Sequence, residues 1–195
     1  SSFNGYSTWV GGKLLNKKNT FKDFIDAGEW LIKKKYTSSE KLTIWGRSAG
    51  GLLIGSVINM KPELAHFAIL GVPFVDVIDT MTDSCQPLVT EEYEEWGNPN
   101  NKAVYDYMSS YDPIKNIDLS AKYPNIYIYS NIEDTLVLYD QVLKYYLKIK
   151  DSSVFSVQDK FALLKINLKY GHTQSTKKTE GFKETAEIYS MIIKY

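Results

Sequence analysis

Ser48 stands in Gly46-Arg47-Ser48-Ala49-Gly50-Gly51, a serine with a glycine two residues to either side. That spacing suits a sharp turn from a strand into a helix, which strains the serine backbone and lifts its hydroxyl clear of the sheet. The chemistry to expect there is attack of the hydroxyl on a carbonyl carbon. The N–H of Ala49, at the start of the helix, would donate to the oxyanion that forms. An ordinary glycine-rich turn that binds phosphate is the plainer reading of the same residues. A β-prone run before the motif and a buried helical run after it favour the nucleophile.

A serine hydroxyl needs a base, and the chain has two histidines, His66 and His172. His172, in Tyr170-Gly171-His172-Thr173, follows an apolar run and falls on a loop at the carboxyl end of a strand. His66, beside Pro62-Glu63-Leu64, reads as a surface or packing residue. The base needs a carboxylate to fix its tautomer and to stabilise the imidazolium. Asp134 lies just past a further apolar run, in Asn131-Ile132-Glu133-Asp134, and Glu133 beside it reads as a solvated loop charge. The order Ser48, Asp134, His172 is the order of the α/β hydrolases.

The elements that must position these residues follow from hydrophobic periodicity. Phe21, Phe24, Ile25, Leu31 and Ile32 predict a helix over 20–36, capped by Asn19 or Thr20, with Lys33-Lys34-Lys35 at its negative end. Short β-prone runs predict strands over 41–45, 67–72, 125–130 and 161–168. A buried helix is expected over 49–60, another helix over 140–150, and an amphipathic one over 180–195 with Phe182, Ala186, Tyr189 and Ile193 on one face. Residues 1–12 read as loop, and 73–118 as a long, functional or lid-like connection holding a short helix near 103–109. Strands alternating with helices predict a mainly parallel, doubly wound α/β sheet.

Lys and Arg balance Asp and Glu at 23 each, so nothing global points to nucleic acid, and no apolar run is long enough to span a bilayer. A single cysteine, Cys85, allows no internal disulfide; with the absence of a glycosylation sequon it leads to the expectation of a reducing, cytoplasmic setting. No clustered Cys/His set implies a metal or an organic cofactor.

The run Gly46-Arg-Ser-Ala-Gly-Gly-Leu-Leu, then Asn59-Met-Lys-Pro-Glu-Leu, Val72-Pro-Phe-Val-Asp-Val, Thr80-Met, Pro87-Leu and Glu94-Glu-Trp-Gly-Asn-Pro99 resembles oligopeptidase B. That family is one of the prolyl oligopeptidase group of serine peptidases. Lys18-Asn-Thr-Phe-Lys-Asp23 and Ser110-Tyr-Asp-Pro113 also fit, so the likeness covers essentially the whole chain. It implies an α/β-hydrolase fold with Ser48, Asp134 and His172 as triad and Ala49 as oxyanion donor. It further implies cleavage of short peptides after Arg or Lys, with Glu92 first and Glu94 second as the carboxylates of an acidic pocket. Glu91 and Glu95 read as solvated.

By the same resemblance, 1–195 is expected to be part of a hydrolase domain, the C-terminal half of its sheet. A β-propeller, the first hydrolase strands and a tyrosine acting as second oxyanion donor would lie upstream. Leu136 departs from the family, where arginine or another polar residue is common. The oligomeric state is left open. Two alternatives stand beside the peptidase: an esterase-type acyl hydrolase with the same triad, and a catalytically silent truncated piece.

Overall fold

Alternating β-prone and amphipathic runs build a wholly parallel four-stranded sheet in the computed structural model, which describes residues 5–157, 159–173 and 178–195. The strands are β1 (Thr43–Arg47), β2 (Phe67–Gly71), β3 (Asn125–Asn131) and β4 (Ala162–Asn167), and they lie side by side in chain order. Trp45 is in register with Ile69, Ile69 with Tyr127, and Tyr127 with Leu163. The carboxyl ends therefore open along one rim, where parallel sheets place their ligands.

Parallel neighbours need long crossovers, and these supply the helices. α1 (Tyr6–Val10) and α2 (Lys18–Lys33) precede β1, and α3 (Ala49–Met60) joins β1 to β2. α4 (Val77–Thr82) and α5 (Lys102–Ser109) lie between β2 and β3. α6 (Tyr139–Ile149) and α7 (Val154–Val157) lead to β4, and α8 (Lys178–Lys194) follows it.

The two faces of the sheet are covered by different helices. Ala68, Leu70, Ile126 and Ile128 point into the main core with Leu52 and Ile54 of α3 and Val142 and Tyr145 of α6. Phe67, Ile69, Tyr127 and Tyr129 point the other way and pack with Ile188 of α8. β2 and β3 are buried along their whole length, as strands covered on both faces should be.

Several expectations shift. β1 runs through Gly46 and Arg47, so the first half of the elbow motif is strand. Residues 6–10 form a helix rather than loop, whereas 1–4 lie outside the described residues. Asn19 and Thr20 do not cap α2: the Asn19 amide donates to the Gly11 carbonyl at 2.9 Å and the Thr20 hydroxyl to the Gly12 carbonyl at 3.1 Å. They sit two and three residues past the N-cap, Lys17, because the helix already starts at Lys18. On α8, Phe182, Tyr189 and Ile193 share a face but that face is exposed. Ile188 is the buried residue, with Met191 and Ile192 beside it, so a second apolar stripe won the core.

The connection 73–118 is no open lid. Val75, Met81, Val89, Trp96, Met108, Tyr111 and Ile114 anchor it in the main core. The buried Asp112 carboxylate accepts from the Ile78 and Lys115 N–H groups, each at 2.9 Å, and so ties α4 to the residues beyond α5.

Candidate active site

The elbow is built by close packing. Ser48 has φ 53° and ψ −120°, a conformation that L-residues rarely adopt and that a sharp strand-to-helix turn imposes. Its N–H donates to the Gly71 carbonyl at 2.9 Å, and its own carbonyl accepts from Gly51 at 2.8 Å and Phe74 at 3.1 Å. A Cβ on Gly46 would lie 2.1 Å from the Gly50 carbonyl oxygen, and one on Gly51 would lie 2.4 Å from Pro73 Cβ. A Cβ on Gly50 would meet nothing within 4 Å. The glycines that the turn requires are thus Gly46 and Gly51, one residue off the simple G-x-S-x-G pattern.

The acid is fixed by its own turn. Asp134 follows β3, its side chain is fully buried, and its Oδ1 accepts from the Leu136 and Val137 N–H groups, each at 2.9 Å. Its Oδ2 lies 2.8 Å from His172 Nδ1. A carboxylate can only accept, so Nδ1 carries the proton and Nε2 is left as acceptor. Ser48 Oγ stands 2.9 Å from that Nε2 and donates to it. Glu133 points to solvent. His66 lies at the opposite end of the sheet, its Nε2 2.7 Å from the Tyr195 carbonyl. Serine, imidazole and carboxylate form one relay across three strand ends.

The relay opens into a cavity of about 120 Å³. Ser48, Ala49 and His172 form one side; Phe74, Met81, Val89, Trp96 and Val137 are among the apolar walls, and Glu92 is its carboxylate. Ala49 is the first residue of α3, so its N–H has no partner within the helix. Trp96 Nε1–H donates to Glu92 Oε2 at 2.6 Å and so holds the Glu92 carboxylate at the cavity wall. Glu94 is exposed and does not line the cavity. Leu136 and Leu88 give the cavity an apolar lip.

Glu95 departs from the solvated reading. Its carboxylate accepts from Lys17 Nζ at 2.6 Å and from Trp9 Nε1 at 3.1 Å, and Lys17 Nζ lies 4.2 Å from the centre of the Trp96 ring. The largely buried lysine needs that carboxylate partner. Together they brace Trp96 from behind. The i, i+4 spacing of Glu92 and Trp96 is the sequence signal for their contact; nothing in the sequence singles out Val89.

A parallel α/β sheet with a serine elbow, a buried acid and a histidine at successive strand ends is the architecture of an α/β hydrolase. Residues 5–195 match the prolyl oligopeptidase family of peptidases, and the chain belongs to that family. It is 38% identical to dipeptidyl aminopeptidase BI of Pseudoxanthomonas mexicana and 39% identical to protease 2 of Moraxella lacunata. Each match covers 97% of this chain but 26% and 27% of those proteins. Among solved structures, oligopeptidase B of Leishmania major superposes with a TM-score of 0.89 at 42% identity, over 95% of this chain and 25% of that one. Oligopeptidase B of Trypanosoma brucei with covalently bound antipain gives 0.89 at 43%, over 95% and 26%. The chain spans about a quarter of the length of the relatives it matches.

Proposed function

We propose that this chain carries the acyl-transfer machinery of a serine oligopeptidase that cleaves short peptides after Arg or Lys. The observation that carries the reading is a relay from Ser48 through His172 to Asp134, at 2.9 and 2.8 Å, beside a cavity that holds Glu92. His172 takes the Ser48 proton as Oγ attacks the scissile carbonyl, and Asp134 stabilises the imidazolium. The Ala49 N–H donates to the oxyanion. His172 then protonates the leaving amine, and water releases the acyl group by the same steps in reverse. A guanidinium or ammonium entering the cavity would meet the Glu92 carboxylate, with apolar walls along its stem.

The test has two arms. A fluorophosphonate probe should label folded wild-type protein on Ser48 and leave Ser48→Ala unlabelled; equal labelling of both would refute the nucleophile. Amide and ester substrates bearing Arg are then compared with apolar acyl esters. Indifference to the Arg side chain would replace the peptidase by an esterase-type acyl hydrolase.

A further inference from the structure

His172 differs from its two partners in what holds it. Its loop leaves β4 after Asn167, and its side chain is 21% exposed whereas that of Asp134 is fully buried. Two neighbouring carbonyls of this loop are nevertheless gripped by side chains from other strands. Arg47 Nη2 donates to the His172 carbonyl at 3.1 Å. Asn131 Nδ2 donates to the Gly171 carbonyl at 2.6 Å. The Asn131 amide is itself oriented, because its oxygen accepts from Asn167 Nδ2 at 2.9 Å. Arg47 directly precedes the nucleophile, and Asn131 accepts from the Asp134 N–H at 3.2 Å. Each grip thus comes from the element that carries one of the other two members of the relay.

Arg47 is seated outside the cavity, against Tyr129 of β3. It does not line the cavity, so it is not placed to touch a substrate there. Its stem runs through a slot left by Gly71, where a Cβ would stand 2.8 Å from Arg47 Cγ and 2.2 Å from Tyr129 Oη. Gly71 and Tyr129 are in register on β2 and β3, so the slot is part of the sheet. The guanidinium donates to the His172 carbonyl and stands beside the Tyr129 hydroxyl, so it ties the loop to the centre of the sheet.

We propose that Arg47 is a positioning residue: it registers the His172 backbone against the Ser48 elbow, so that Nε2 stays in line with Oγ. The proposal rests on the acyl-transfer reading above. Breaking a charged hydrogen bond of this kind lets the loop drift, and displacements near 1 Å at a reacting pair cost about a hundredfold in rate.

The saturable reaction of this chain with a fluorophosphonate separates probe binding, KI, from the chemical step, kinact. Arg47→Met should lower kinact by about tenfold to a hundredfold at unchanged KI, and Arg47→Lys should restore most of it. In parallel, the low-field proton resonance shared by His172 Nδ1 and Asp134 should broaden or vanish in Arg47→Met. Arg47→Gln, whose amide falls short of the carbonyl, serves the same comparison where the methionine variant does not fold. A folded variant with wild-type kinact and an intact low-field resonance would overturn the proposal, as would a change in KI alone. Wild-type protein that folds but never labels would sink the acyl-transfer reading instead; the resonance would still decide for or against the Arg47 tether.

Discussion

The elbow and acid on one side, and the cavity wall over residues 74–96 on the other, meet at one opening but are built on different physics. Ser48 and Asp134 are set by backbone: a forced φ of 53° in the first case, two N–H donors to a buried carboxylate in the second. Their freedom was removed when the sheet formed. The wall is loop broken by the short α4 and a single turn near Glu92, and the Glu92 carboxylate is held by an indole N–H. What the wall recognises is therefore open to change without disturbing the chemistry. Rate should belong to the strand ends and selectivity to the wall.

The sharpest way to break that division is Asp134→Asn. The amide oxygen can still accept from Leu136 and Val137, so the turn should survive, but the amide nitrogen facing Nδ1 forces the wrong tautomer on His172. Such a change drops turnover by about 10⁴-fold in serine proteases, and the labelling rate of Ser48 measures it here. Next comes Gly46→Ala. With only 2.1 Å between a new Cβ and the Gly50 carbonyl, strand and helix must part. Overpacking of this kind costs about 1–3 kcal/mol, and the expected result is a lowered melting temperature together with loss of labelling. Gly50→Ala is the control: nothing lies within 4 Å of its Cβ position, so both stability and labelling should hold.

That glycine pair also shows what was legible in the sequence and what was not. Ser48, Asp134 and His172 could be placed because each follows a short β-prone run, and a strand end fixes where its next residues go. The fold class came from the same alternation. Which glycine the elbow needs depends on Pro73 pressing on Gly51, a contact between loops that no local pattern encodes. Glu95 looked like one more charge in an acidic run until Lys17, 78 residues away in sequence, proved to pair with it. On α8, two apolar stripes compete, and only the aromatic face presented by Phe67, Tyr127 and Tyr129 decides for Ile188. Arg47 sat inside the motif, yet its role depends on where a loop 125 residues later returns.

Selectivity supplies the next test. Glu92→Gln keeps the hydrogen bond to Trp96 and the shape of the wall but removes the charge. Preference for Arg over an apolar residue of similar length should fall by about a hundredfold, the scale of losing one partner of a buried charge pair. The labelling rate by a small fluorophosphonate should stay put. Glu94→Gln, outside the cavity, should change neither. If Glu94 rather than Glu92 governs the preference, the cavity must reshape on binding.

The smallest expected effect concerns the outer support of the wall. Lys144 on α6 bridges Asp76 and Asp79, each at 2.6 Å, and so ties α4 to α6 beside the cavity. The Lys144 hydrogen bond, outweighing burial, holds the Asp79 carboxyl below its ordinary value, and the two carboxylates raise the Lys144 ammonium. A depressed acid contributes stability above its unfolded value of about 3.9, and that contribution is lost as pH falls through the lower folded value. A raised lysine contributes below its unfolded value of about 10.4, and loses the contribution as pH climbs through the higher folded one. The bridge should therefore act at full strength across the whole neutral range. Asp79 and Lys144 are both more than half exposed, so solvent discounts their arm to well under 1 kcal/mol. On the Asp76 arm the carboxylate is buried although the lysine is half exposed, and this arm brings the total for Lys144→Met to about 1–2 kcal/mol at pH 7. Denaturant melts should show the gap between wild type and variant narrowing in acid by the share of the Asp79 arm, well under 1 kcal/mol, as Asp79 protonates. Glu92-dependent selectivity should survive, because α4 remains tied through Asp112 to the residues beyond α5. A gap unchanged in acid would mean that the Asp79 arm adds nothing and that Lys144 acts through Asp76 and the packing of its stem.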